Sequence, residues 1–153
     1  MKKEHAIEFT WKDLPKLRKR WLYGSDWFDS ISIVNVLQLL TPKERIHVVN
    51  EAYRVMKKGA KLQIVVPHWC SARAWGDLAF QQPPISESWF PHLNAEWRKR
   101  EAPWGEQYRC DFDHTLGYGM HPSIVNRNQE YQQHALTFWR EAAQDLICTL
   151  IKR

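Results

Sequence analysis

A chain of 153 residues is long enough to fold as one domain and to bury about two-thirds of the surface its unfolded form exposes. With 44% hydrophobic and 25% charged residues it has an ordinary globular composition, and no apolar run approaches the roughly 18 residues of a membrane helix, so no membrane partner is expected. The net charge of +5 favours acidic partners, nucleic acid among them, and the opening Met1-Lys2-Lys3-Glu4-His5 lacks the apolar stretch of a secretory signal, which makes the cytoplasm the expected location.

Residues 1–27 read as an N-terminal arm or interface segment, and 28–153 as one α/β domain. The arm is rich in large aromatics, and the nine tryptophans of the chain demand cores, interfaces or stacking platforms to hold them. From Phe28 to Leu40 the chain is rich in β-branched and apolar residues, which predicts a parallel strand over 30–37 covered on both faces. Thr41, Pro42 and Glu44 then form a capping-box signature, with proline at the first helical position. The helix they start runs over 42–58, its inner stripe being Ile46, Val49, Tyr53 and Met56, and Lys57, Lys58 and Gly59 supply its exit. A strand over 62–66 closes a strand-helix-strand unit with a right-handed crossover.

Beyond Pro67 the sequence is irregular until Ser86, a second N-cap signal, after which Trp89, Phe90, Leu93 and Trp97 line one helical face. Tyr108, Cys110 and Phe112 alternate with Arg109, Asp111 and Asp113 as a half-exposed strand would, and Gly117 and Gly119 break the pattern. A helix over 124–143 and a strand over 146–151 complete the chain. Cys70, Cys110 and Cys148 stand far apart without a Cys-x-x-Cys pair, so they read as three buried free thiols, with no disulfide framework and no thiolate metal site.

This order of elements resembles the carboxyl half of class I S-adenosylmethionine-dependent methyltransferases, especially small bacterial and phage-type members. The residues that carry the resemblance are Phe28-Asp29 before a strand ending Asn35 to Leu40, Glu51 to Gly59 followed by Leu62 to Pro67, and then His68 to Asp77, Pro83-Pro84, Cys110 to Asp113 and Gly117-Tyr118. The fold it implies is a truncated Rossmann-like sheet, strands four to seven of the family with flanking helices.

In that family a glycine-rich turn after the first strand cradles the cofactor, and an acidic residue ending the second strand holds its ribose. Two strand-helix-strand units of about 30 residues each would be needed to hold these parts, more than the residues before Ile31 supply, and Gly24 stands alone between Tyr23 and Ser25. Gln38-Leu39 also replaces the Glu-His common in related sequences, and Asp77-Leu78-Ala79-Phe80 replaces Asp-Pro-x-His; Leu and Phe transfer no proton. No cofactor is therefore expected, with S-adenosylmethionine implied only if the chain is an active methyltransferase.

His68, Arg73 and Asp77 follow a parallel strand at its carboxyl end, where open α/β sheets bind ligands. They are the candidate catalytic residues of an active enzyme, Arg73 as an anion clamp and His68 or Asp77 in a proton role; otherwise they support an irregular loop. Asp111 and Asp113 share one side of a strand with no accompanying cluster, and His114 and His121 lack metal-ligand spacing, so no metal is expected. The runs Lys16 to Arg20 and Arg98 to Arg100, with Trp11, Trp21, Trp97 and Trp104 nearby, have the mixture used for single-stranded nucleic acid, or form solvated faces beside core aromatics. With the first strands missing, the edge of strand 30–37 would be bare, so either Ala6 to Phe9 or another subunit must cover it. Trp11, Trp21, Trp27 and Phe28 are the candidate interface residues, for a protein partner or for self-association through the sheet edge.

The expected function is thus a non-catalytic, partner-binding relative of the methyltransferases. The alternatives are a methyltransferase completed by oligomerisation or a partner subunit, and a basic nucleic-acid-binding module.

Overall fold

The computed structural model describes residues 4–153; residues 1–3 of the arm, where the secretory reading begins, lie outside them. Five strands form one mixed, open sheet in the order β1-β2-β3-β5-β4. They are β1 (Ala6–Phe9), β2 (Phe28–Val34), β3 (Met56–Pro67), β4 (Phe112–Met120) and β5 (Ala143–Lys152). The first three are parallel neighbours, while β5 runs antiparallel between β3 and β4.

Register explains which side of the sheet is dry. Ile7, Ile31, Leu62 and Leu150 stand in one row across four strands, and Phe9, Ile33, Ile64 and Cys148 in the next. These two rows form the floor of the main core. The opposite rows, Glu8-Ser32-Gln63-Thr149-Thr115 and Ala6-Ser30-Lys61-Ile151-Asp113, lie exposed or half-exposed on the other face. Strand β2 is therefore not covered on both faces as its β-branched content predicts. Its serines fall at alternate positions, and the period-2 pattern outweighs the apolar average.

Helix α2 (Pro42–Val55) roofs the core after a 3₁₀ turn, Leu37–Leu39. Its start is the expected capping box: Glu44 N donates to Thr41 Oγ at 3.3 Å and Thr41 N to the Glu44 carboxylate at 2.8 Å. The buried face is Arg45, Val48, Val49, Ala52 and Val55. Of the expected stripe, Ile46 and Tyr53 stay half-exposed. The helix ends at Val55, and Lys57, Lys58 and Gly59 belong to β3. Gly59 has a φ of 77°, where the pairing jumps from Phe28–Met56 to Ser30–Lys61. Its left-handed conformation serves this bulge rather than a helix exit.

The N-terminal segment is tied down rather than loose. Helix α1 (Leu14–Leu17) buries Leu17, and Glu51 and Arg54 of α2 latch the chain behind it. Trp21 N donates to Glu51 Oε2 at 2.8 Å, while Arg54 donates to the carbonyls of Trp21 and Tyr23. Ala6–Phe9 is the strand that covers the edge of β2.

The carboxyl half departs most from expectation. After Ser86 comes a 3₁₀ segment, Glu87–Leu93, and then α3 (Ala95–Glu101), capped by Asn94 Oδ1 on Trp97 N at 2.9 Å. Tyr108 and Cys110 precede β4 instead of forming it, and Gly117 and Gly119 lie inside that strand. Glycine at 119 leaves room there, since a Cβ would stand 3.0 Å from the Asp145 side chain on β5. The expected helix over 124–143 is two short ones, α4 (Pro122–Val125) and α5 (Gln129–Phe138). Asn128 caps the second, and the chain enters β5 by Ala143.

Candidate functional site

Alternation along β3 carries Leu62, Ile64 and Val66 into the core, and His68 continues the same phase one residue beyond the strand, so its ring is 4% exposed. Its Nδ1 accepts the Cys70 backbone N–H at 3.2 Å, which leaves Nε2 to donate to Glu87 Oε1 at 2.8 Å. Cys70 Sγ lies 3.1 Å from that same Nδ1. A thiol, an imidazole and a carboxylate are thereby aligned in sequence, which is the nucleophile-base-orienter order of side-chain relays.

Glu87 is the hub of this arrangement. Tyr118 Oη donates to its Oε1 at 3.1 Å and Trp69 Nε1 to its Oε2 at 2.9 Å. Burial pushes its carboxyl up, but the hydrogen bond from His68, its own amide and Trp69 outweigh burial and hold it below the usual carboxylate range. Tyr118 is raised, by burial first and then by the Glu87 charge. The site opens into a cleft of about 440 Å³ lined by Trp69, Trp75, Phe138, Trp139 and Arg140. The loop above it is anchored by Glu141, which accepts from Ser71 Oγ and Ala72 N.

Of the expected catalytic residues, His68 alone is part of this cluster. Arg73 pairs with Asp145 Oδ1 at 2.8 Å and so fastens the loop to β5. Asp77 accepts Ala79 N and its amide donates to Gln81, closing a turn on a different cleft. The three do not converge on one point. Cys70, Glu87, Tyr118 and Trp69 were missed. The His68-x-Cys70 spacing was the one local signal, and nothing local marks Glu87, which arrives across an irregular loop.

The remaining candidates are dispersed. Trp21 and Phe28 are buried in the chain's own core, whereas Trp11 and Trp27 are exposed, Trp27 stacking on His5 at 4.8 Å. Asp111 accepts Ala95 N at 2.9 Å, and both Asp111 and Asp113 face Arg153. Arg98 spends its guanidinium on the carbonyls of His92 and Cys110, and Arg100 pairs with Glu101. Two thiols are buried as expected, Cys110 pushed up to about 11 and Cys148 to about 12 by that burial, but Cys70 is only half-buried. Among the described residues no three His, Cys, Asp and Glu side chains converge as metal ligands. Among them too, no helix is long and apolar enough to cross a membrane.

The turn after β1 tests the S-adenosylmethionine reading, because β1 is the parallel neighbour of β2 on the side where the family resemblance puts its first strand. That turn is Thr10-Trp11-Lys12-Asp13, without glycine. Two of its four amides are engaged: Thr10 N donates to Asp13 Oδ2 at 3.1 Å and Asp13 N to the Thr10 carbonyl at 2.9 Å. A turn without glycine, carrying the exposed Trp11 indole and with its first and last amides engaged, fits poorly a cofactor that needs closely approachable amides.

No family model and no curated protein sequence matches this chain. Solved structures do match in fold. A methyltransferase dependent on S-adenosylmethionine from Archaeoglobus fulgidus aligns with 85% of this chain and 62% of its own, at 14% identity and a TM-score of 0.57. A possible histamine N-methyltransferase from Thermotoga maritima aligns over 90% of this chain and 61% of its own, at 12% identity and a TM-score of 0.54. The YcgJ protein of Bacillus subtilis gives 90% and 68%, at 12% identity and a TM-score of 0.50. This chain thus spans less than two thirds of the length of the first two. The fold is similar to that of S-adenosylmethionine-dependent methyltransferases, and at these identities the likeness is one of fold alone.

Proposed function

We propose that this chain is a methyltransferase-like binding protein, using the strand-four-to-seven part of that sheet as a scaffold and docking a protein partner or a second copy along β1 and the open face beside it. The observation that carries this reading is the one-sided sheet. Three parallel strands, a kind of sheet normally buried on both faces, present Ser30, Ser32, Lys61, Gln63 and Glu8 outward. Strand β1 also bonds on one side only among the described residues, and exposed Trp11 and Trp27 flank it. The glycine-free Thr10 turn, with its Thr10 and Asp13 amides engaged and the exposed Trp11 indole on it, argues against methyl transfer from S-adenosylmethionine bound there.

Sedimentation of the purified chain at micromolar concentration tests the self-association arm. A dimer that dissociates when proline replaces Ile7 supports docking at the edge, since proline removes a strand donor. A monomer throughout this range removes self-association from the reading.

One observation favours the second reading, a methyltransferase completed by another chain. At the carboxyl end of β2, Asn35 holds a φ of 54°, and the side-chain oxygens of Asn35 and Gln38 are buried without partners. Orphaned acceptors at that position suit a ligand donor. Saturable binding of S-adenosylmethionine by the associated form, absent from the monomer, distinguishes this reading from the first.

A further inference from the structure

We propose that Cys70 is a nucleophilic thiol served by His68 and positioned through Glu87, and that it forms covalent adducts with flat, anionic aryl compounds held in the adjoining cleft. This goes beyond the binding function above and stands on different residues.

Three features single out Cys70. Its sulfur touches the acceptor nitrogen of an imidazole whose opposite N–H is held by a carboxylate, so the ring is turned to take the thiol proton, and the resulting imidazolium faces a negative charge. That imidazole is itself nearly inaccessible at 4% exposure, and its tautomer is fixed from both sides. Cys110 and Cys148, by contrast, are buried and raised far above neutrality, which makes them inert.

The cleft defines what reaches the thiol. Trp69, Trp75, Phe138 and Trp139 are between 44% and 71% exposed, unusual for large aromatics, and offer ring faces for stacking. The titratable residues lining it, beside Cys70 itself, are His68, Glu87 and Arg140. Glu87 already accepts from three donors, while Arg140 makes no hydrogen bond or ion pair among the described residues. A planar ring bearing a carboxylate or phosphate matches these walls.

With an aryl disulfide the step balances as follows. The thiol proton passes to His68 Nδ1, displacing the Cys70 backbone N–H from that lone pair, as Sγ attacks one disulfide sulfur; a new S–S bond forms, the original one breaks, and an aryl thiolate leaves. His68 then returns its proton to solvent. Cys70 is oxidised to a mixed disulfide, and half of the reagent is reduced to thiolate.

The test is the stopped-flow rate of the folded chain with dithiobis(nitrobenzoate) at neutral pH, set against a small neutral reagent, methyl methanethiosulfonate. One thiol per chain is expected to react, and none in Cys70→Ser. His68→Gln slows the reaction at least about tenfold. Glu87→Gln, which keeps the side-chain shape, slows both reagents while the thermal midpoint shows the variant to be folded. Arg140→Gln lowers the preference for the aryl reagent about fivefold. Reaction persisting in Cys70→Ser, or folded Glu87→Gln and His68→Gln reacting at the parent rate, overturns the thiol relay. An unchanged reagent preference in Arg140→Gln overturns the anionic ligand.

Discussion

Two clefts open at the carboxyl ends of the parallel strands, and they differ in kind. The one beside β1 and β2, about 560 Å³ and lined by Trp11, Leu39, Asp77 and Phe80, stands where the family resemblance puts a cofactor. Its polar groups mostly close local turns, Thr41 with Glu44 and Asp77 with Ala79, and one exposed ion pair, Arg18 with Glu44, joins separate segments. The one beyond β3 gathers three side chains, His68 and Trp69 from the end of β3 and Tyr118 from β4, on the single carboxylate of Glu87. Chemistry collects where remote residues converge, and in this molecule the convergence is in the second cleft.

The difference predicts a graded set of effects. Glu87→Ala removes the acceptor of His68, Trp69 and Tyr118 together, and is expected to cost about 1–3 kcal/mol in denaturant unfolding. The same carboxylate leaves a pH signature. Its folded pKa lies below its unfolded value, so its stabilisation is complete above the ordinary carboxylate range and is lost as pH falls through the lowered value. Glu87→Gln therefore flattens part of the acid limb of a stability-pH curve. Gly119→Ala, which drives a methyl against Asp145 and the anchor of Arg73, is expected to cost about 1 kcal/mol and to loosen the loop, read as faster amide exchange at Ala72 and Arg73.

In the first cleft the effects are those of local structure. Thr41→Ala loses a helix cap and costs about 1 kcal/mol of stability, with no change in Cys70 reactivity. Asp77→Ala, at an exposed turn, stays within about 0.5 kcal/mol of the parent chain. A large loss from Asp77→Ala, with none from Glu87→Ala, reverses the comparison.

What the sequence made legible follows the same division. The β2-α2-β3 unit was readable because its signals are local: a capping box, a helical run and two strand-length apolar segments. The open face was readable in principle from Ser30 and Ser32, had the alternation been weighed above β-branched content. Gly117 and Gly119 look like breaks in one dimension, but Gly119 is small because Asp145 of the neighbouring strand needs its space. His68 was found from its place after a parallel strand. Glu87 was not, because no spacing rule spans the loop that delivers it.

The central claim, that the turn after β1 does not serve S-adenosylmethionine, is tested most directly by isothermal titration of the purified chain with that compound, its association state measured on the same sample. The account predicts no saturable heat up to millimolar ligand in any association state. Saturable micromolar binding that survives replacement of Asn35 by Leu contradicts it and restores the methyltransferase reading.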